Sequence, residues 1–179
     1  MPFKNYRVLG FRTVEKIDDL IENADFIFLC GGHLPTQNKF FNYINLREKI
    51  KNTEALIVVA SAGAMNMADV VYSIPELEQE SNDPNFKRSL KGLGLTNINI
   101  LPRYDKFVGH ILGGRRFIED IVLPDTYKRK VFGINEGSYI LIDNKEAYLY
   151  GEAYLLENGA IKKLNNDNEV INIIGCGKT

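Results

Sequence analysis

The feature that most constrains the fold is a ten-residue stretch, 55–64, in which an apolar run stops at a serine flanked by small residues (ALIVVASAGA). Fully apolar strands of this length are typical of parallel sheets covered on both faces. The small residues around Ser61 allow a very tight turn from the strand into a following helix, which projects the serine hydroxyl above the sheet. The pattern therefore predicts either a nucleophilic Ser61 or a buried strand that ends in a small-residue turn.

Length and charge restrict the class of protein. The 179 residues suit one domain, 1–179, and the net charge of −1 offers no basic face for nucleic acid. The longest apolar run is too short to span a bilayer, and the N-terminus lacks the apolar core of a signal peptide. Two cysteines, Cys30 and Cys176, form no disulfide framework. These observations predict a soluble, cytoplasmic protein without membrane or nucleic-acid partners.

Along the chain, apolar strands alternate with amphipathic helices, which indicates an α/β fold. Thr13 is predicted to cap the first helix. The segment 75–91 is polar and contains Pro84, so it is predicted to be a surface loop. The predicted strands cover 25–30, 55–60, 98–101, 131–134, 138–142 and 147–150, the last two forming a hairpin, with edge strands in 160–174; the later helices cover 62–70 and 115–121.

Several motifs follow one another in a recognisable order: CGGH at 30–33 with Gln37, SAGA at 61–64, GLGL at 92–95, LPRY at 101–104 and EGS at 136–138. Together they resemble the dipeptidase E and cyanophycinase group of serine peptidases, which has the class I glutamine amidotransferase-like fold. The resemblance implies a doubly wound, mostly parallel sheet flanked by helices, with a C-terminal antiparallel hairpin. It also implies a small acidic peptide as substrate and no cofactor.

The same resemblance assigns Ser61 as the nucleophile and the backbone N–H groups of Gly32 and Ala62 as the oxyanion hole. The placement is physically reasonable because parallel strands ending at 30 and 60 would present their residues at one edge of the sheet, where α/β ligand sites lie. Each such donor is worth about 3 kcal/mol to a developing oxyanion.

Three departures from the family pattern bear on activity. Arg103 stands where the family has its catalytic histidine, and a guanidinium has no lone pair to accept a proton. Val59 stands where the family has a glycine two residues before the serine. The resemblance also begins well inside the family's domain, so the chain is expected to lack the N-terminal part. A sheet without those strands would leave an edge or face uncovered, which predicts a homo-oligomer.

Two histidines are available as substitute bases, His33 beside the glycine pair and His110 after Arg103. Glu76, in an acidic run, is the predicted carboxylate; it would orient a histidine or pair with Arg103. The alternative for all of them is an ordinary polar surface residue.

The predicted substrate contacts are Arg103, Arg115, Arg116 and Gln37. A guanidinium pairs bidentately with a carboxylate, which suits an acidic substrate. Arg115 and Arg116 equally suit a solvated helix face, and Gln37 equally suits the start of a helix.

Two other motifs are set aside. Residues 175–179 (GCGKT) are similar to the end of a phosphate-binding loop, but the leading glycine and the following helix are missing. Cys30 ends an apolar strand and is predicted to be buried and inert. The sequence has no metal-ligand spacing.

Two functions therefore remain. The first is a serine hydrolase of the aspartyl dipeptidase type. The second is a catalytically impaired relative that serves as a binding or assembly module, suggested by Arg103 and Val59.

Overall fold

The computed structural model describes residues 3–144 and 146–174. A 3₁₀ turn, Val14–Lys16, leads into the first helix. The helices are α1 (Ile17–Glu22), α2 (Leu34–Tyr43), α3 (Leu46–Ile50), α4 (Ala62–Met65), α5 (Glu78–Ser81), α6 (Tyr104–Phe107) and α7 (Leu123–Asp125), the last preceded by a π-helical segment, Phe117–Val122. The strands are β1 (Phe26–Leu29), β2 (Leu56–Val59), β3 (Val70–Tyr72), β4 (Ser89–Lys91), β5 (Ile100–Pro102), β6 (Ile111–Leu112), β7 (Arg115–Arg116), β8 (Val131–Ile134), β9 (Tyr139–Asp143), β10 (Glu146–Tyr150), β11 (Ala153–Glu157), β12 (Ala160–Asn165) and β13 (Val170–Asn172).

Strands β1 and β2 form a parallel ladder in which Leu29 lies opposite Val59. Two apolar runs joined by a helical connection are what a parallel pair requires, since a crossover must return the chain to the same end of the sheet. The strand ends therefore place the residues after Leu29 and after Val59 side by side.

A second, mixed sheet has the order β12-β11-β8-β5, with β5 and β8 parallel and the other pairs antiparallel. Strands β9, β10 and β13 form an antiparallel sheet of their own. The predicted α/β class is confirmed. Among the described residues the strands form separate ladders, so the continuous doubly wound sheet implied by the resemblance stays a prediction, as does the single-domain assignment.

The described residues pack into two apolar clusters. The larger cluster lies around β5 and β8 and includes Phe117 and Phe132. The smaller one joins α1, α2 and α3 to one face of the β1–β2 ladder, and includes Leu29 and Ile50. Ser61 lies at the junction of these two groups of elements, because β2 contributes to the smaller cluster and α4 to the larger.

Some local predictions are wrong. The Thr13 side chain bonds the carbonyls of Val8 and Gly10 instead of capping the helix. The helix predicted over 62–70 ends at Met65, and β3 follows because its residues pair antiparallel with β4. Strand β4 lies within the predicted surface loop 75–91. It forms a strand because it pairs with β3, which is not adjacent to it in the sequence.

Strand β11 was missed, although the sequence carries a signal for it. Asn158 and Gly159, both with positive φ, join β11 to β12 as a two-residue turn between the paired residues Glu157 and Ala160. An Asn-Gly pair is among the strongest hairpin signals in a sequence. The phosphate-loop-like residues 175–179 lie outside the described part of the chain.

Candidate active site

Ser61 occupies the sharp turn between β2 and α4, and its backbone is unusual. Its φ of 51° and ψ of −122° lie outside the conformations that residues with a side chain ordinarily adopt. Strand, strained serine and helix follow one another as the sequence predicts. The turn forms despite Val59, which pairs with Leu29 and packs into the smaller cluster.

Helix α4, the elbow helix that follows the serine turn, crosses directly over the end of β1. A Cβ added to Gly63 would lie 2.2 Å from the carbonyl oxygen of Leu29. The Ala60 N–H donates to the same carbonyl at 2.9 Å. This close approach explains the glycine two residues after the serine, and it holds Ser61 beside the residues that follow β1.

The glycine pair lies against the serine. A Cβ on Gly31 would lie 3.0 Å from the Ser61 Cβ and 3.4 Å from its Oγ, so any side chain at 31 would crowd the hydroxyl. Gly32 adopts a φ of 153° with open space around the Cβ position. Within residues 3–144 and 146–174, the backbone N–H groups of Gly32 and Ala62 have no acceptor. These are the two donors predicted for the oxyanion hole.

His33 follows the glycines and is held on both ring nitrogens. Its Nε2 lies 2.7 Å from Oε1 of Glu80, and its Nδ1 lies 2.7 Å from the Thr36 hydroxyl. An ionised carboxylate only accepts, so Nε2 carries a proton, and the Nδ1 of a neutral ring accepts from Thr36. The Glu80 carboxylate is itself fixed, because its Oε2 accepts the backbone N–H groups of Glu76 and Leu77 at 2.9 and 3.2 Å.

Glu80, and not the predicted Glu76, is therefore the carboxylate that meets a histidine. Oε1 of Glu76 instead accepts the N–H of Leu34, the first residue of α2, at 2.8 Å. A carboxylate at this position favourably satisfies an unpaired donor at the helix start. The sequence does not show which of the neighbouring glutamates faces His33, because that depends on the direction in which the chain around α5 runs.

Arg103 and His110 lie apart from these contacts. Arg103 follows β5, has a left-handed backbone with φ 56°, and is exposed. Among the described residues it forms no ion pair, so the alternative of a bridge to Glu76 is wrong. The exposed His110 ring lies near those of Phe107 and Phe117, with centroids 6.2 and 5.9 Å away. In the described part of the chain neither histidine is hydrogen-bonded to Ser61.

Arg115 and Arg116 lie on β7, not on the predicted helix, and their charges are handled differently. Arg116 forms a two-pronged bond to the Asp120 carboxylate, at 2.8 and 3.2 Å, and this bond lowers the pKa of Asp120. Among the described residues the Arg115 guanidinium donates hydrogen bonds only to carbonyl oxygens, those of Ser81 (3.4 Å) and Asp120. Its charge also helps to lower the pKa of the Asp120 carboxyl, so Asp120 partly balances both arginines.

Gln37 is tied to the protein backbone. Its Nε2 donates to the carbonyl of Cys30 at 2.7 Å, and its Oε1 accepts from the buried side chain of Asn66 at 3.1 Å. Asn66 was not identified from the sequence, although a polar residue in the stretch AGAMNMA is a signal, because a buried amide must find partners.

Cys30 is exposed, so the prediction of a buried thiol is wrong. It follows Leu29, the last residue of β1, where the chain leaves the sheet. The described residues contain no cluster of three or more potential metal ligands among His, Cys, Asp and Glu. None of the helices in this part of the chain is both long and apolar enough to cross a membrane.

A model of Peptidase family S51 matches residues 9–150, which include the glycine loop (residues 30–33), the serine turn and the hairpin of β9 and β10. No curated protein matches the chain.

Proposed function

Because this chain belongs to Peptidase family S51, a family of serine peptidases, we propose that it is a serine hydrolase that cleaves small acidic peptides by attack of Ser61. The observation that carries the proposal is the strained Ser61 backbone at the strand-to-helix turn, with Gly31 against its side chain. Strain of this kind is found where a hydroxyl must be presented in one direction.

In the proposed reaction, Oγ of Ser61 forms a bond to the peptide carbonyl carbon while its proton passes to a base. The carbonyl oxygen becomes an oxyanion, which the N–H groups of Gly32 and Ala62 receive. The base returns the proton to the departing amine as the peptide bond breaks. Water then hydrolyses the acyl-serine ester by the same steps in reverse.

We assign the base to His33. The Glu80 carboxylate at Nε2 stabilises the imidazolium that forms when Nδ1 takes up a proton, which is how a carboxylate supports a histidine base. Thr36 now occupies Nδ1, so the ring or the threonine must turn for the serine to be reached. His110 is the other histidine in the sequence and has no carboxylate against it among the described residues.

Arg115 supports the acidic preference of the proposal. Among the described residues its guanidinium donates only to carbonyl oxygens and reaches Ser81 at the end of α5, next to Glu80. A substrate carboxylate would give it a bidentate partner. Arg116 is a weaker candidate because Asp120 already pairs with it. Arg103, exposed after β5, is a further candidate for the same role.

The alternative function is a catalytically impaired relative that acts as a binding or assembly module. Two observations favour it: Arg103 follows β5 where the resemblance places a histidine, and within residues 3–144 and 146–174 no histidine is bonded to Ser61. Loss of one member of a catalytic triad typically costs several orders of magnitude in kcat.

Hydrolysis of a panel of Asp-Xaa dipeptides, together with fluorophosphonate labelling, separates the two functions. We expect turnover and labelling that Ser61→Ala abolishes, that His33→Gln lowers by about 10² or more, and that His110→Gln leaves nearly unchanged. Equal labelling of the native chain and Ser61→Ala would refute Ser61 as nucleophile. Absence of native turnover, with gain of turnover in Arg103→His, would establish the impaired relative.

We also propose that the protein is cytoplasmic and forms homo-oligomers. The first follows from the absence of a disulfide framework in the sequence. The homo-oligomer is supported by an apolar sheet face that the described residues leave largely open, and light scattering tests it.

A further inference from the structure

We infer that the side chains of Gln37, Asn66 and Asn38 form an amide relay, buried at Asn66 and Asn38, that positions the glycine loop against the elbow helix. The inference rests on the proposed function, because it assigns these residues to positioning the two oxyanion donors. It replaces the substrate contact predicted for Gln37 with a role inside the protein.

The first link of the relay holds the glycine loop. Gln37 Nε2 donates to the Cys30 carbonyl at 2.7 Å. That carbonyl belongs to the rigid peptide unit joining Cys30 to Gly31, the residue that touches Ser61. Fixing the carbonyl therefore fixes the plane of the peptide at the start of the glycine pair.

The second link holds the elbow helix. Asn66 Nδ2 donates to Oε1 of Gln37 at 3.1 Å and to the Ala62 carbonyl at 3.1 Å. Ala62 carries the second proposed oxyanion donor. One amide group, on a side chain with 0% exposure, thus connects the glycine loop to the first residue of α4.

The third link is the hydrogen bond between Asn66 and Asn38. Asn66 Oδ1 accepts from Nδ2 of Asn38 at 2.7 Å, and the same Asn38 nitrogen donates to the Lys91 carbonyl at 2.9 Å. Asn38 is only 6% exposed. Asn38 ties the site to β4, which belongs to a separate two-stranded ladder.

The orientation of each amide follows from its partners. The carbonyls of Cys30, Ala62 and Lys91 can only accept, so each must face an NH₂ group. With the NH₂ groups in these positions, the oxygens of Gln37 and Asn66 face the NH₂ groups of Asn66 and Asn38. All hydrogen bonds of the relay are then formed in one arrangement. Reversing any one amide would set two oxygens or two NH₂ groups against each other within the relay, which removes hydrogen bonds and adds repulsion.

A relay that is satisfied in only one arrangement is a means of holding backbone donors within a narrow tolerance. Displacement of a catalytic group by about 1 Å can cost about 10²-fold in rate. If Gln37 instead bound substrate, its loss would raise KM and leave the intrinsic reactivity of Ser61 unchanged. The two roles are therefore separable by experiment.

The test compares Gln37→Glu with the control Asn23→Asp. Gln37→Glu keeps the acceptor for Asn66 but replaces the donor to Cys30 with a carboxylate. Asn23, at the end of α1, likewise donates a side-chain amide to a backbone carbonyl, that of Asp19 at 2.9 Å, and to the Asp19 carboxylate at 3.0 Å, and its amide contacts no member of the relay among the described residues. Both variants remove one donor and add one negative charge.

We expect Gln37→Glu to lower kcat and the rate of Ser61 labelling by a small fluorophosphonate at least about tenfold, with little change in KM. Asn23→Asp should stay within about twofold of the native chain, since the contacts of its side chain lie outside the relay. Native labelling in folded Gln37→Glu, or a rise in KM alone, would overturn the inference. Gln37→Met, which removes the amide without adding charge, replaces Gln37→Glu if that variant does not fold.

An amide NMR spectrum keeps this test independent of activity. The N–H resonances of Gly31, Gly32 and Ala62 should shift in Gln37→Glu and remain in place in Asn23→Asp. If the native serine proves unreactive, the proposed function fails while these shifts still report on the relay. Unshifted resonances in a folded Gln37→Glu variant would refute the relay itself.

Discussion

Strands β1 and β2 differ from β8 in what covers them, although all three are short apolar runs. Every residue of β8 is buried, since β5 and β11 flank it and the larger cluster fills both faces. In the β1–β2 ladder one face packs against the smaller cluster, and on the other the Phe3 ring covers Phe26, with 5.2 Å between the ring centroids. On that second face, Phe28, Leu56 and Val58 are 52%, 61% and 38% exposed. An apolar run therefore indicates a strand that prefers burial, and it does not specify how many layers are present to bury it.

A polar cluster at the edge of the second sheet shows how partly exposed positions are ordinarily finished. The Tyr154 ring packs against the larger cluster, while its hydroxyl bonds Glu152, and the Lys163 ammonium lies 3.0 Å from the same carboxylate. The exposed face of β1–β2 has apolar residues instead. Contiguous apolar surface of this kind marks an interaction site more often than a solvated face.

The sharpest test of this difference replaces one phenylalanine in each strand. Phe132→Ala removes a ring that is 1% exposed and should lower the free energy of unfolding by about 3–5 kcal/mol, because it leaves a cavity. Phe28→Ala should lower it by less than about 1 kcal/mol in the monomer, since half of its ring is already in water. Urea unfolding measures both, and equal losses would contradict the difference in coverage.

A second test concerns the covered face of β1–β2, where the elbow helix approaches closely. Gly63→Ala would place a methyl group against the Leu29 carbonyl, a backbone atom that cannot move aside. We expect a loss of about 1–3 kcal/mol in unfolding free energy and reduced labelling of Ser61. Gly10→Ala, with nothing near its Cβ position, is the control and should be close to neutral. An unfolding free energy unchanged by Gly63→Ala would contradict the close approach of α4 to the Leu29 carbonyl.

The third test asks whether a second copy covers the exposed face of β1–β2. We expect light scattering at micromolar concentration to give a mass above that of the monomer. Phe28→Glu should weaken the assembly at least about tenfold, because a buried apolar side chain contributes about 1.5–3 kcal/mol and a charge opposes burial. Ile161→Glu, at an exposed apolar position of the second sheet, should leave the mass unchanged. A native monomer would refute the oligomer.

The smallest effect is expected from the polar surface of the second sheet. The hydrogen bond to Glu152 raises the pKa of Tyr154 to about 12, and the same bond lowers the pKa of Glu152. The raised phenol pKa means that this bond stabilises the fold fully below pH 10 and loses its effect as pH rises through about 12. For the carboxyl, the stabilisation is present above its ordinary pKa and is lost as pH falls through the lowered one.

Tyrosine Cζ NMR titration measures this directly. Glu152→Gln should move the Tyr154 midpoint from about 12 back toward 10, the ordinary value, because the neutral amide no longer favours the protonated phenol. Tyr154→Phe identifies the resonance. If Glu152→Gln left the Tyr154 midpoint unchanged, the hydrogen bond to Glu152 would not be the cause of the raised Tyr154 pKa.

Much of the site's backbone could be predicted locally. The small residues around Ser61 and the glycine pair act through sterics within a few residues, so the turn and the loop beside it follow from the sequence. The side chains around them could not be predicted in the same way. Whether Glu76 or Glu80 meets His33, and whether Gln37 faces substrate or the Cys30 carbonyl, depends on segments more than 25 residues apart that pack together.

The sequence by itself determined the apolar strands, the tight serine turn, the glycines beside it and the family to which the chain belongs. These features depend on the volume and backbone freedom of neighbouring residues, which a sequence displays directly. Only the tertiary structure decided that β4 pairs with β3, that Asn66 joins the glycine loop to the elbow helix, and that one face of β1–β2 stays largely open. Each of these depends on which distant groups are brought within hydrogen-bonding or van der Waals distance, because these forces are short-ranged and act only where folding brings the groups together.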